Sequence, residues 1–158
     1  MLFRSMWNTA MNAIVMRYAE VLLMYAEAKI ECNQIDASVY QAIDAVRTRA
    51  KMPVVDRGRY ASQDKLRELI RRERRVELAL EGHRWFDICR WKIGDKVMNG
   101  DVEGALLGTV DPTTGALNLT NDRIFVEKRI FDSSKHYLWP IPQGVIDSTP
   151  AIEQNPGY

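Results

Sequence analysis

Two cysteines and two histidines are all that 158 residues supply, and that scarcity removes several chemistries. Cys32 and Cys89 cannot make a disulfide scaffold, and each sits inside an apolar helical pattern, so both are expected as buried free thiols. His83 and His136, taken with those cysteines, match no recurring zinc spacing, so no metal site is assigned. No nucleophile motif lies near either histidine and no glycine-rich loop is built to cradle phosphate, so no cofactor is assigned. Charge of one sign is also lacking. The 22 basic and 21 acidic residues leave a net charge of +1, which gives no electrostatic case for nucleic acid or an anionic membrane surface. The longest apolar run, residues 21–26, is far below the ~18 residues that would suggest a membrane span. Residues 1–15 lack the basic start and unbroken apolar segment of a signal peptide. The opening has no capping logic, so residues 1–16 are expected to be a remnant of an upstream region, partly artefactual, in a truncated chain.

Helix-forming composition is present in quantity. Residues 17–32 contain Ala, Leu, Met, Glu and Lys without Gly or Pro, and apolar residues wrap most of that helix, which predicts burial on several sides. Asp36 can cap a second helix over 37–51, with Val39, Ala42, Ile43, Val46 and Ala50 on one stripe. Ala26, Ala28, Ala42 and Ala45 would let the two pack closely, as in tetratricopeptide-like hairpins. After a polar connection around Gly58, Ser62 offers the cap of a third helix. Its stripe Leu66, Leu69, Ile70, Val76 and Leu80 runs to Gly82, read as the glycine past the helix end. A fourth helix is expected over 84–92. From Gly94 onward glycine recurs, 111–115 is turn chemistry, 124–130 allows a short strand, and Pro140 and Pro142 keep 137–142 extended. The fold class is therefore mostly α. Tetratricopeptide-like hairpins occupy 17–94, and a loop-rich section with at most short strands occupies 95–158 of the same domain.

The residues able to carry chemistry are charged and aromatic. Glu73, Glu77 and Glu81 repeat at four-residue spacing, the one arrangement that invites a glycoside-cleaving reading. Neighbours on one helix point side by side and do not flank a substrate from two directions, and the arginines around them favour the ionised form. No catalytic residue is assigned. The expectation is structural: Glu73 or Glu77 pairs with Arg47 or Arg49 between packed helices. The cations over 67–75 alternate with Glu68 and Glu73 and read as a salt-bridged helix face. Trp85, Phe86 and Trp91 read as core, and Trp139 as core or interface packing. Trp7 and Tyr60 are the better exposed rings, but nothing converges on them, so no glycan-binding residue is nominated.

Several segments together carry a resemblance. Arg17-Tyr18-Ala19-Glu20-Val21-Leu22-Leu23-Met24-Tyr25-Ala26-Glu27-Ala28 resembles the signature helix of the SusD/RagB family, and Ala42-Ile43-Asp44-Ala45-Val46-Arg47-Thr48-Arg49-Ala50 resembles the helix after it. Glu73-Arg74-Arg75-Val76-Glu77-Leu78-Ala79-Leu80-Glu81-Gly82, then Arg84-Trp85-Phe86-Asp87 and Arg90-Trp91, resembles the family's most distinctive stretch. Tyr137-Leu138-Trp139-Pro140-Ile141-Pro142 and Gln154-Asn155-Pro156-Gly157-Tyr158 resemble its C-terminal endings. The resemblance implies a non-catalytic, surface-exposed lipoprotein of the outer membrane. Such a protein captures oligosaccharides, or sometimes peptides, over a SusC-like TonB-dependent β-barrel transporter. Membrane attachment would be through a lipid anchor absent from this chain. The rival readings are a tetratricopeptide-like peptide-binding adaptor and, further off, a glycoside hydrolase.

Overall fold

Leucine and isoleucine spaced three and four apart need a partner surface, and the three long helices supply it to one another. A computed structural model describes residues 15–158. Trp7 and most of the expected upstream remnant lie outside the described residues. The chain divides into two compact units, one ending at Arg84 and one spanning Trp85–Tyr158.

In the first unit, α1 (Tyr18–Glu31), α2 (Ala37–Arg49) and α3 (Gln63–Glu77) enclose one core. Leu23, Ala26 and Ile30 of α1 meet Val39, Ala42, Ile43 and Val46 of α2 and Leu66, Leu69 and Ile70 of α3. Each fully enclosed Leu, Ile or Val contributes roughly 1.5–3 kcal/mol by leaving water. Asp36 caps α2, its carboxylate accepting the Ser38 N–H at 2.8 Å. Ser62 caps α3 by accepting the Lys65 N–H. Three expectations fail here. Tyr18, Val21, Met24 and Tyr25 are exposed, so α1 is covered on one face only, and of the four alanines only Ala26 and Ala42 are buried. Cys32 is exposed because it sits at the C-cap of α1, past the last buried position, and Cys89 is half-buried.

The third helix stops at Glu77, short of Gly82. In a continuing helix the Glu77 carbonyl would accept the Glu81 N–H. It accepts instead from Arg17 Nη2, while the Glu81 N–H turns to Leu78 O at 3.2 Å. Leu80 takes a positive φ of 65° and Gly82 one of 83°, so the chain leaves helical geometry through a left-handed residue with a side chain. Leu80, expected on the buried stripe, is consequently exposed, and Val76, still within α3, is exposed as well.

The second unit takes in most of α4 (His83–Trp91), then α5 (Gly94–Val97), an antiparallel hairpin of β1 (Gly100–Val110) and β2 (Leu117–Arg129), and α6 (Gln143–Ser148). The mostly helical class holds, but strands of 11 and 13 residues exceed the short strand expected. β2 is exposed along its whole length, so no face imposed the apolar–polar alternation that marks a half-buried strand. The turn at 111–115 does join the strands, its Asp111 carboxylate accepting the N–H of Thr113 at 2.7 Å and of Thr114 at 3.1 Å. At the hairpin base, Asn99 accepts the Phe131 N–H at 2.6 Å and donates to the Phe131 and Asp95 carbonyls. Phe131 fills the space over Gly94, where a Cβ would stand 2.4 Å from the ring.

Candidate functional site

Charged side chains concentrate on the second half of α3, because only its first half carries the apolar stripe. Arg17, just before α1, reaches Glu77 Oε1 with Nη1 at 2.5 Å and Glu81 with Nε at 2.8 and 3.0 Å. Arg49 of α2 donates Nη2 to both Glu77 oxygens at 2.6 and 2.8 Å. Arg47 Nη1 lies 2.5 Å from Glu73 Oε1, and its Nε donates to the Pro53 carbonyl at 2.7 Å. Deeper in the unit, Arg74 Nε stands 3.5 Å from Glu27 Oε2, both side chains almost fully buried. Glu20, also buried, lies 3.4 Å from His83 Nδ1. Arg67 spans to Glu31 through three contacts of 2.8–3.0 Å.

The pairing of Arg17 with its two carboxylates favours the ionised form of both Arg17 and Glu81. The hydrogen bonds that Arg17 donates to Glu81, then to Glu77, raise its pKa above the ordinary value, and the bond to Glu81 lowers that of Glu81. Glu73 and Glu77 border a cleft of about 240 Å³ between α2 and α3, lined also by Val46 and Val76. Each still has an oxygen within 2.6 Å of a guanidinium. A general acid needs a raised pKa and a free approach to the leaving group; Glu81 departs from the first requirement, and Glu73 and Glu77 from the second.

The remaining signature residues fall elsewhere. Arg75 and Tyr18 are exposed, and Arg84 is half-buried. Buried Asp87 accepts from Arg90 at 2.9 Å, and the Arg90 guanidinium stands 4.7 Å from the Trp91 ring. Pro140 and Pro142 supply no N–H, which isolates the Ile141 amide between them. Gln154 answers it, its Oε1 accepting the Ile141 N–H at 2.8 Å and its Nε2 donating to the Ile141 carbonyl at 3.0 Å. Asn155 donates to Trp139 O at 2.7 Å, and Tyr158 to Leu138 O at 3.0 Å. The two C-terminal motifs are thus one clasp. The amide-poor Pro-Ile-Pro stretch was the sequence signal for such a partner.

Aromatic rings gather in the second unit. Trp85 meets Phe131 and Trp139 edge-on at 6.4 and 6.2 Å, and Phe131 meets His136 and Tyr137 at 5.6 and 4.9 Å. His136 Nδ1 accepts the Asp132 N–H at 2.8 Å. The expectation that Trp85, Phe86 and Trp91 are core does not hold. Phe86 is 70% exposed and the two tryptophans are half-buried, because α4 turns Asp87 and Ile88 inward instead. Trp139 is 74% exposed. Tyr60 is half-buried against the core of the first unit. Among the described residues no group of His, Cys, Asp and Glu could hold a metal ion, and no helix is long and apolar enough to cross a membrane.

With this geometry established, known proteins give a consistent comparison. The SusD family model matches residues 3–158. SusD-like protein P2 of Formosa agariphila is 32% identical over 96% of this chain and 27% of its own length. A SusD-like protein of Bacteroides fragilis superposes with a TM-score of 0.72 at 32% identity, covering 92% of this chain and 26% of that one. A SusD-like carbohydrate-binding protein of the same species gives a TM-score of 0.70 at 40% identity, over 85% of this chain and 27% of that one. The chain spans about a quarter of the length of these relatives.

Proposed function

This chain belongs to the SusD family, and from that premise we propose that it binds oligosaccharide without cleaving it, at the bacterial outer-membrane surface, for delivery to a SusC-like TonB-dependent β-barrel transporter. The observation that carries the non-catalytic reading is the state of Glu73, Glu77 and Glu81. Each is bonded to Arg47, Arg49 or Arg17, Glu73 and Glu77 on α3 and Glu81 in the turn after it. A glycosidase needs two carboxyls about 5–9 Å apart on opposite sides of the scissile bond, and three carboxylates held by arginines, two on α3 and one just past its end, do not supply that. The carbohydrate-binding relative at 40% identity supports sugar as the ligand class. The helices would act as the rigid base, and the arginine–glutamate contacts would fix their register.

Isothermal titration of the full chain against neutral and charged oligosaccharides tests binding. Saturable heat with at least one of them supports the reading, and none with any of them overturns it. Co-purification with a SusC-like β-barrel transporter tests delivery. A barrel that never retains the chain would remove that half of the proposal.

A further inference from the structure

We propose that the pocket between the α2–α3 connection and α3 takes the anionic group of an oligosaccharide, a carboxylate or sulfate ester. The inference rests on the oligosaccharide-binding reading and narrows its ligand class. Arg59, Tyr60, Lys65, Glu68, Leu69 and Arg72 line this concavity of about 170 Å³. Three cations and one carboxylate therefore face a common space in a chain whose net charge is only +1.

The pocket is held in shape from behind. Asp56 Oδ1 accepts the N–H of Gly58 at 2.9 Å and of Arg59 at 3.1 Å, and the Tyr60 N–H returns to Asp56 O at 3.0 Å. Tyr40 Oη donates to the Tyr60 carbonyl at 2.9 Å, tying the turn to α2. The Tyr60 ring thus stands on the core, with the Arg59 and Arg72 guanidinium carbons 5.3 and 6.0 Å from its centroid. Arg72 Nη2 donates to Tyr60 Oη at 3.2 Å.

The cations are only partly compensated. Lys65 meets Glu68 at 3.3 Å. Arg72 stands 3.9 Å from Glu73, whose other contact, to Arg47, is far closer at 2.5 Å. Among the described residues Arg59 has no ion-pair partner. Planar guanidinium groups pair bidentately with carboxylate and sulfate. A neutral sugar would leave this positive charge unanswered.

The test uses the full chain and four probes: inorganic sulfate, maltotetraose, tetragalacturonate and a sulfated carrageenan tetrasaccharide. Sulfate is expected to shift the Arg59 and Arg72 guanidinium NMR signals saturably. At least one anionic tetrasaccharide is expected to bind about tenfold or more tightly than maltotetraose, with that margin shrinking as salt rises. Arg59→Gln, on an exposed turn, and Arg72→Gln are expected to abolish the margin, while Lys128→Gln on β2, the same charge change elsewhere, keeps it. Equal affinities for neutral and anionic sugars would overturn the pocket and leave the glycan-binding reading standing. Sulfate shifts without binding of any tetrasaccharide would overturn the glycan reading and this assignment with it. A margin that survives both arginine variants would place the anion elsewhere and overturn the assignment.

Discussion

Arg17 bonds to Glu77 twice, through the carboxylate and through the main-chain carbonyl at the end of α3. One side chain thereby ends a helix and joins its last residue to the start of α1. Arg17→Ala should destabilise the first unit by about 1.5–3 kcal/mol, the range for hydrogen bonds to charged groups. Arg17→Lys should recover little, because an ammonium cannot span Glu77 and Glu81 together. Urea unfolding followed by circular dichroism measures both; equal stability of Arg17→Ala and the parent chain would remove the bracing role.

Acidification should weaken the same corner. The Glu81 pKa is held below its ordinary 4.5, first by the Arg17 hydrogen bond. A carboxylate with a depressed folded pKa contributes stability that is complete above the unfolded value and lost as pH falls through the folded one. Urea midpoints should therefore fall below pH 4.5, and less steeply in Glu81→Gln than in the parent. Parallel pH profiles would contradict this assignment.

Much of the first unit was legible because its signals are local. Asp36 and Ser62 precede helices with short acceptor side chains, and each caps one. Leu66, Leu69 and Ile70 repeat with helical period and are buried. Arg47 and Glu73 sit on the stripes that the helices turn toward each other, and they meet at 2.5 Å. The end of α3 was not legible. Val76 and Leu80 continue the apolar period, and only a contact from Arg17, far away in sequence, shows why the helix stops before Leu80. The length of the hairpin was hidden because β2 is exposed along its whole length, so burial imposed no sustained alternation on it. Phe86 was misplaced because bulky aromatic character predicts burial only on average.

Gly94 has no room for a side chain. Gly94→Ala would drive a Cβ into the Phe131 ring and should cost about 1–3 kcal/mol, as overpacking does. Phe131→Leu in the same chain should return part of that loss. Thermal unfolding of the single and double variants reads the coupling, and strictly additive losses would deny the contact.

The clasp of Gln154 on Ile141 should be visible in hydrogen exchange. Gln154→Ala removes the acceptor of the Ile141 N–H, and neighbouring Pro140 and Pro142 offer no alternative pairing along the segment. The Ile141 amide should exchange at least tenfold faster in the variant, with amides of α2 unchanged. Unaltered Ile141 exchange would show that the segment is held by other contacts.

Native mass spectrometry of the full chain with an oligosaccharide panel reads capture and cleavage together. The account predicts a complex at the mass of the intact sugar, with no shorter product accumulating over hours. Shortened sugars that disappear in Glu77→Gln would contradict it, and would turn the arginine-held carboxylates back into a catalytic centre.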